Sequence, residues 1–171
     1  QVAGPQGGRL PERLPGGGES PLTLVLAQAY LKDRKGEDLI RPLTELGVAE
    51  CLFFPAQRSV ALPRAGRSAE RRGRWERIAR EGVKQCGRAR VPVVREVESL
   101  DAVLALGSGC QGRFFFWEGA TEGLAQSASW AAAGPVGRVL AVVGPEGGFT
   151  PEEAAAAGRA DFTLAGLGPR I

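Results

Sequence analysis

Apolar positions along the chain recur with two different periods. Residues 22–30, 48–54, 91–97, 113–117, 139–143 and 162–164 are short, near-continuous apolar runs rich in β-branched and aromatic side chains. Strands buried on both faces of a sheet have this composition. Residues 32–46 instead carry Leu39, Ile40, Leu43 and Leu46 at helical spacing, with Gly47 as the stop and Pro42 as an internal kink or early end. Helices are also predicted over residues 68–86, 100–106, 124–133 and 151–157. Strands alternating with helices imply right-handed βαβ crossovers, hence an α/β domain with a mostly parallel sheet and helices on both faces.

Residues 1–21 are rich in Gly and Pro without periodicity and are read as a linker or tail, so the folded domain is expected over residues 22–171. No apolar run is long enough to span a bilayer. With no methionine, not even at position 1, the chain is expected to be part of a longer one.

One stretch combines strand, turn and helix signals. The run 139–143 ends at Gly144, Pro145 stiffens the turn, and Gly147 and Gly148 permit a positive φ or a close approach to a ligand. Thr150, Pro151 and Glu153 follow as N-cap, first helical residue and capping-box partner. A strand, glycine loop and helix in this order place a ligand site at the carboxyl edge of a parallel sheet. The loop has neither a Gly-Lys-Ser/Thr ending nor GxGxxG spacing, and Glu146, Glu152 and Glu153 occupy the place a phosphate would need. A ligand with a positive centre suits it better, and S-adenosylmethionine, a sulfonium, is one. An ordinary βα turn with a capping box is the alternative.

Composition narrows the chemistry. The chain has no histidine, which removes Ser-His-Asp and Cys-His catalysis and His-based metal sites. Cys51, Cys86 and Cys110 form no CxxC pair, so neither a disulfide framework nor a thiolate zinc site is expected, and a reducing cytoplasm is the simplest setting. No metal is implied.

Charge is concentrated. Eleven of the 22 Lys and Arg lie between Arg58 and Arg90, against only Glu70, Glu76 and Glu81. At ~100° per residue, Trp75, Ile78, Ala79, Val83 and Cys86 fall on one side of a helix, and Arg74, Arg77, Arg80, Lys84 and Arg88 on the other. The second set is either a solvated face or a surface for a polyanion. Trp75, Trp117 and residues 114–116 are read as core.

GPEGGFTPEE at residues 144–153, LGPRI at 167–171, TELGV at 44–48, QRSV at 57–60 and KQCGRARVP at 84–92 together resemble the RsmE family. These are SPOUT-class enzymes that methylate N3 of a uridine in 16S ribosomal RNA with S-adenosylmethionine. The resemblance runs from residue 22 to the last residue. It implies a C-terminal trefoil knot, a homodimer, and an N-terminal PUA-like domain of which at most a tail is present. The family's last segment also runs on into a further helix, so the C-terminus is expected to be truncated. The resemblance further implies a cofactor pocket walled by Trp117 and Glu118, by Gly144, Pro145, Glu146, Gly147 and Gly148, and by Leu167, Gly168, Arg170 and Ile171. Arg58 and Arg88 would face the RNA and the mouth of the site. Arg58 is the candidate to stabilise the uridine anion, Glu146 is a second catalytic candidate, and Arg58, Arg74, Arg77, Arg80, Lys84 and Arg88 are the candidate RNA contacts. Two alternatives remain: a SPOUT methyltransferase acting on transfer RNA, and a non-catalytic RNA-binding module.

Overall fold

The computed structural model describes residues 19–60, 62, 66–123 and 137–168. In chain order the elements are β1 (Thr23–Ala29), α1 (Lys35–Glu45), β2 (Glu50–Phe54), α2 (Ser68–Cys86), β3 (Val93–Glu96), α3 (Leu100–Ala105), which continues into a 3₁₀ turn, β4 (Gly112–Phe116), β5 (Arg138–Val143), α4 (Pro151–Arg159) and β6 (Thr163–Ala165). Every element expected within these residues is present. The helix expected over 124–133 lies outside them. Among the described residues no helix is long and apolar enough to cross a membrane.

The strands form one six-stranded sheet in the order β3-β2-β1-β5-β4-β6. Every pairing is parallel. The chain builds β1, β2 and β3 outward in one direction, then crosses to the far side to add β4, β5 and β6, so β1 and β5 meet where the winding reverses. In a sheet of this kind the crevice at the carboxyl ends of such strands is where ligands bind.

Period-two alternation divides the apolar side chains between the faces. Val25, Ala27 and Ala29 of β1 and Leu52 and Phe54 of β2 join one core with Val103, Phe115, Leu140, Val142, Phe149 and Phe162. Leu24 and Leu26, with Cys51 and Phe53, join a second core with Ile40 of α1 and Trp75 and Ala79 of α2. Burial pushes the Cys51 thiol up to about 12, so it serves as a small hydrophobe. α1 runs through Pro42, which has no N–H to give the Asp38 carbonyl. Gly82 lets α1 and α2 approach closely: a Cβ there would stand 3.2 Å from Thr44 Cγ2.

Two expectations for α2 are corrected. Cys86 is exposed at the helix end, not on the packing side, because the covered face ends near Gly82 and Val83. Arg88 is not on the cationic stripe, because Gly87 caps the helix in the left-handed conformation (φ +73°) and turns the chain inward. There Arg88 is only 11% exposed, and its Nη1 donates to the carbonyls of Thr44 (2.8 Å) and Val48 (2.9 Å). Its Nη2 pairs with Glu19 at 2.8 Å. The Glu19 carboxylate also accepts from the backbone N–H groups of Ala89 and Arg90, so this part of the expected linker is anchored to the domain.

Arg88→Gln should lower the unfolding free energy by about 2–4 kcal/mol, since two carbonyls lose a charged donor and Glu19 loses its partner. The Arg88 hydrogen bond, helped by the backbone N–H groups and opposed by burial, holds the Glu19 carboxyl below its ordinary 4.5. A depressed folded value means stability that is fully present above 4.5 and is given up as pH falls through the folded value. The deficit of Glu19→Gln relative to wild type should therefore be constant near neutrality and close below pH 4.5, as followed by urea titrations across a pH series.

Candidate functional site

Six parallel strands send all their carboxyl ends to one edge, where the connections that carry Arg58, Glu118 and the glycine loop lie. The loop after β5 is held from several sides. Gln28 of β1, 5% exposed, donates its side-chain amide to the Gly144 carbonyl at 2.7 Å. Arg58, from the connection between β2 and α2, donates Nη1 to the Gly147 carbonyl at 2.9 Å. Glu146 accepts from the Lys32 backbone N–H at 3.2 Å and from Lys35 Nζ at 3.1 Å.

The glycines have distinct duties. Gly148 alone among Gly144, Gly147 and Gly148 takes the left-handed conformation (φ +66°), and its N–H closes a turn onto the Pro145 carbonyl at 2.9 Å. A Cβ on Gly148 would lie 3.1 Å from Glu118 Oε2, and one on Gly147 would lie 3.3 Å from Arg58 Cβ. Bare backbone here brings Arg58 on one side and Glu118 on the other against the loop. Glu118 is exposed and has no ion pair among the described residues.

Below the loop, α4 opens with the expected capping box. Thr150 Oγ1 accepts from the Glu153 N–H at 3.2 Å, and Glu153 Oε2 accepts from the Thr150 N–H at 2.9 Å. Glu153 is 5% exposed, and its other oxygen accepts from the backbone N–H of Gln57 at 2.8 Å. The remaining wall follows the end of β6. Trp117 donates its backbone N–H to the Ala165 carbonyl (3.1 Å) and Gly166 donates to the Glu122 carbonyl (2.8 Å), so Leu167 and Gly168 emerge beside the segment after β4. Trp117 packs partly buried against the first core, and Leu167 is half exposed. Arg170 and Ile171 lie outside the described residues.

The structure thus brings Arg58, Trp117, Glu118, the glycine loop, Leu167 and Gly168 to one edge. Glu146 faces the β1–α1 connection. Its own N–H and Lys35 hold its carboxyl below the usual range, and its contacts with Lys32 and Lys35 anchor the loop. Sequence reasoning did not find Gln28, whose signal was a polar residue inside a buried strand. It found Glu153 only as a cap.

The basic residues of α2 divide. Arg71 pairs with Glu96, which Ser68 also meets at 2.6 Å, and its guanidinium lies 5.8 Å from the centre of the Trp75 ring. Arg74 pairs with Glu37 of α1, and Lys84 with Glu81 at 2.9 Å. Arg67, Arg77 and Arg80 have no ion pair among the described residues. Arg67, Arg71, Arg74 and Arg77, with Glu70, line an open cleft of about 230 Å³ at the carboxyl-edge end of α2. Among the described residues no group of three or more His, Cys, Asp or Glu stands where it could hold a metal ion.

A family model described as an RNA methyltransferase domain matches residues 18–171. The ribosomal RNA small subunit methyltransferase E of Bacillus subtilis is 33% identical over 165 residues, covering 90% of this chain and 61% of that protein. The Mycobacterium tuberculosis protein of the same name is 33% identical over 158 residues, 88% of this chain and 57% of its own length. The chain therefore spans less than two thirds of these curated relatives. Among solved structures, a ribosomal RNA small subunit methyltransferase E from Neisseria gonorrhoeae bound to S-adenosyl methionine superposes with a TM-score of 0.78 at 27% identity, covering 91% of this chain and 62% of that one.

Gly148→Ala should cost about 1–2 kcal/mol, because any side chain strains the left-handed backbone and meets Glu118. Gly158→Ala, inside α4 with no atom within 4 Å of the added Cβ, should raise stability by about 0.5–1 kcal/mol. Chemical denaturation of both variants beside wild type checks the opposite signs.

Proposed function

From the premise that the chain belongs to the RNA methyltransferase domain family, we propose that the protein methylates N3 of a uridine in 16S ribosomal RNA with S-adenosylmethionine. The observation that carries this is the glycine loop clasped at the carboxyl edge between Arg58 and Glu118. The donor set suits the cofactor: bare backbone at Gly147 and Gly148, a carboxylate at Glu118 for a positive centre, and an exposed apolar surface at Leu167. When bound, S-adenosylmethionine supplies a methyl group on a positively charged sulfur. Gly144, Pro145 and Gly168 complete the lining, and Arg170 and Ile171 are proposed to follow it.

A uridine N3 holds its proton near neutral pH, so the chain must favour the deprotonated base and align it. Arg58 is the candidate for the first task. One of its five N–H donors is fixed on Gly147, which leaves the rest of an exposed guanidinium to meet a developing oxyanion. The proton needs an acceptor, and the Glu118 carboxylate, exposed against Gly148 and without an ion pair among the described residues, is more available for it than Glu146, which Lys35 holds. Holding base and methyl donor in line supplies much of the remaining acceleration. The trefoil knot belongs to the same proposal, supported by the Gly123–Gly166 bridge that sets the segment after β6 beside the segment after β4; the homodimer is proposed from the family resemblance.

RNA is proposed to cross the carboxyl edge onto the first half of α2. Arg67, Arg71, Arg74 and Arg77 line the cleft there, with Arg80 a turn further on. Lys84 stands ten residues beyond Arg74, about 15 Å along the helix, and is already paired with Glu81. Arg88, held by Glu19, leaves the set of RNA contacts.

Two measurements test this. Arg58→Ala in the full-length protein should lower kcat for RNA methylation by about 100-fold with little change in calorimetric affinity for S-adenosylmethionine. A protein that binds RNA but gives no heat with the cofactor would instead be a non-catalytic module. Arg67→Gln with Arg77→Gln should reduce the slope of log affinity against log salt by roughly 1.4–1.8, whereas Lys84→Gln should leave it nearly unchanged. Equal slopes for wild type and the double variant would move the RNA surface elsewhere.

A further inference from the structure

The capping box at the start of α4 needs only one oxygen of Glu153. The helix is served when Oε2 accepts from the Thr150 N–H and Thr150 Oγ1 accepts from the Glu153 N–H. The second oxygen is used elsewhere: Oε1 accepts from the backbone N–H of Gln57, 96 residues earlier in the chain. A carboxylate that is 5% exposed loses its hydration, and it is retained here by donors on two separate loops.

Gln57 immediately precedes Arg58. The turn that carries both is tight, because the Ser59 N–H donates to the Ala56 carbonyl at 3.0 Å and Ser59 Oγ accepts from the Ala56 N–H at 3.1 Å. The turn is fastened to the glycine-loop unit at two points, through the Gln57 backbone on Glu153 and through the Arg58 side chain on the Gly147 carbonyl. The first is part-buried, with the Glu153 side chain itself buried, and the second is exposed. An exposed arginine tethered by one hydrogen bond still samples several rotamers, and fixing the backbone beneath it fixes the point from which those rotamers reach.

We propose that Glu153 is a positioning residue that clamps the Gln57–Arg58 turn onto the glycine loop and so aims the Arg58 guanidinium at the substrate base. The inference rests on the role given to Arg58 above. Glutamine cannot replace it, since one oxygen becomes an NH₂ group facing an N–H. Aspartate is one methylene too short to span both donors.

The test uses the full-length protein and four variants: Glu153→Gln, Glu153→Asp, Thr150→Val and Arg58→Ala, with Glu153→Gln also placed in the Arg58→Ala background. Thr150→Val removes the side-chain cap but leaves both carboxylate acceptors in place, so it reports the cost of the cap alone. Amide hydrogen exchange should accelerate at Gln57 in Glu153→Gln and not in Thr150→Val. For RNA methylation, Glu153→Gln should lose about tenfold in kcat beyond Thr150→Val, the worth of one hydrogen bond to a charged group, with S-adenosylmethionine affinity within about twofold of wild type. In the Arg58→Ala background the same change should cost less than about twofold, because the effect runs through Arg58. Equal exchange at Gln57, equal losses for Glu153→Gln and Thr150→Val, or multiplying losses for Arg58 and Glu153 would each overturn the proposal. Should Glu153→Gln fail to fold, Glu153→Asp carries the same comparisons. If wild type methylates no RNA, the proposed reaction fails, and Gln57 exchange still decides whether the clamp exists.

Discussion

Everything at the site depends on the sheet being wholly parallel. A parallel strand must be followed by a crossover, so each strand's exit falls at the same edge, and connections from different parts of the chain meet there. Such exits are irregular backbone with unsatisfied polar groups, and their order comes from hydrogen bonds between connections. Gln28 to Gly144, Arg58 to Gly147, Lys35 to Glu146 and Glu153 to Gln57 are four such bonds. The two from buried side chains fix backbone position. The two from exposed side chains orient groups a ligand can reach.

Three carboxylates near the loop show how environment divides labour among like groups. Glu153 is buried and satisfied by backbone donors on both oxygens, so it is a structural clamp. Glu146 is solvent-facing, and its own backbone N–H and Lys35 hold its carboxyl below the usual range. Glu118 is exposed, lies against Gly148 and has no ion pair among the described residues, so it alone of the three is free to meet a positive centre or a proton. The arginines divide in the same way. Arg88 and Arg71 are held by carboxylates within the fold, while Arg58, Arg67 and Arg77 have no ion pair among the described residues.

The second half of α2 shows why a charge stripe is a weak guide taken alone. On a helical wheel Arg74, Arg77, Arg80, Lys84 and Arg88 look equivalent, but the helix stops at Gly87, Arg88 turns inward, and Lys84 pairs within its own turn. Distance from the carboxyl edge then separates the rest. The cleft lined by Arg67, Arg71, Arg74 and Arg77 begins at the first residues of α2.

The sequence by itself determined what short-range physics controls. Period-two and helical spacing located the strands and helices among the described residues, because a residue's face depends on neighbours only two to four positions away. Thr150, Pro151 and Glu153 announced the capping box, and the motifs that begin at Thr44, Gln57, Lys84, Gly144 and Leu167 carried the family resemblance. Tertiary structure alone decided the strand order, the burial of Arg88 under Glu19, the exposure of Cys86, the seat of Gln28 on Gly144 and the second task of Glu153. Each of these joins groups 40 to 116 residues apart or depends on where a covering element ends. Such contacts are set by how amphipathic elements pack over the sheet, a constraint that no local window of residues contains.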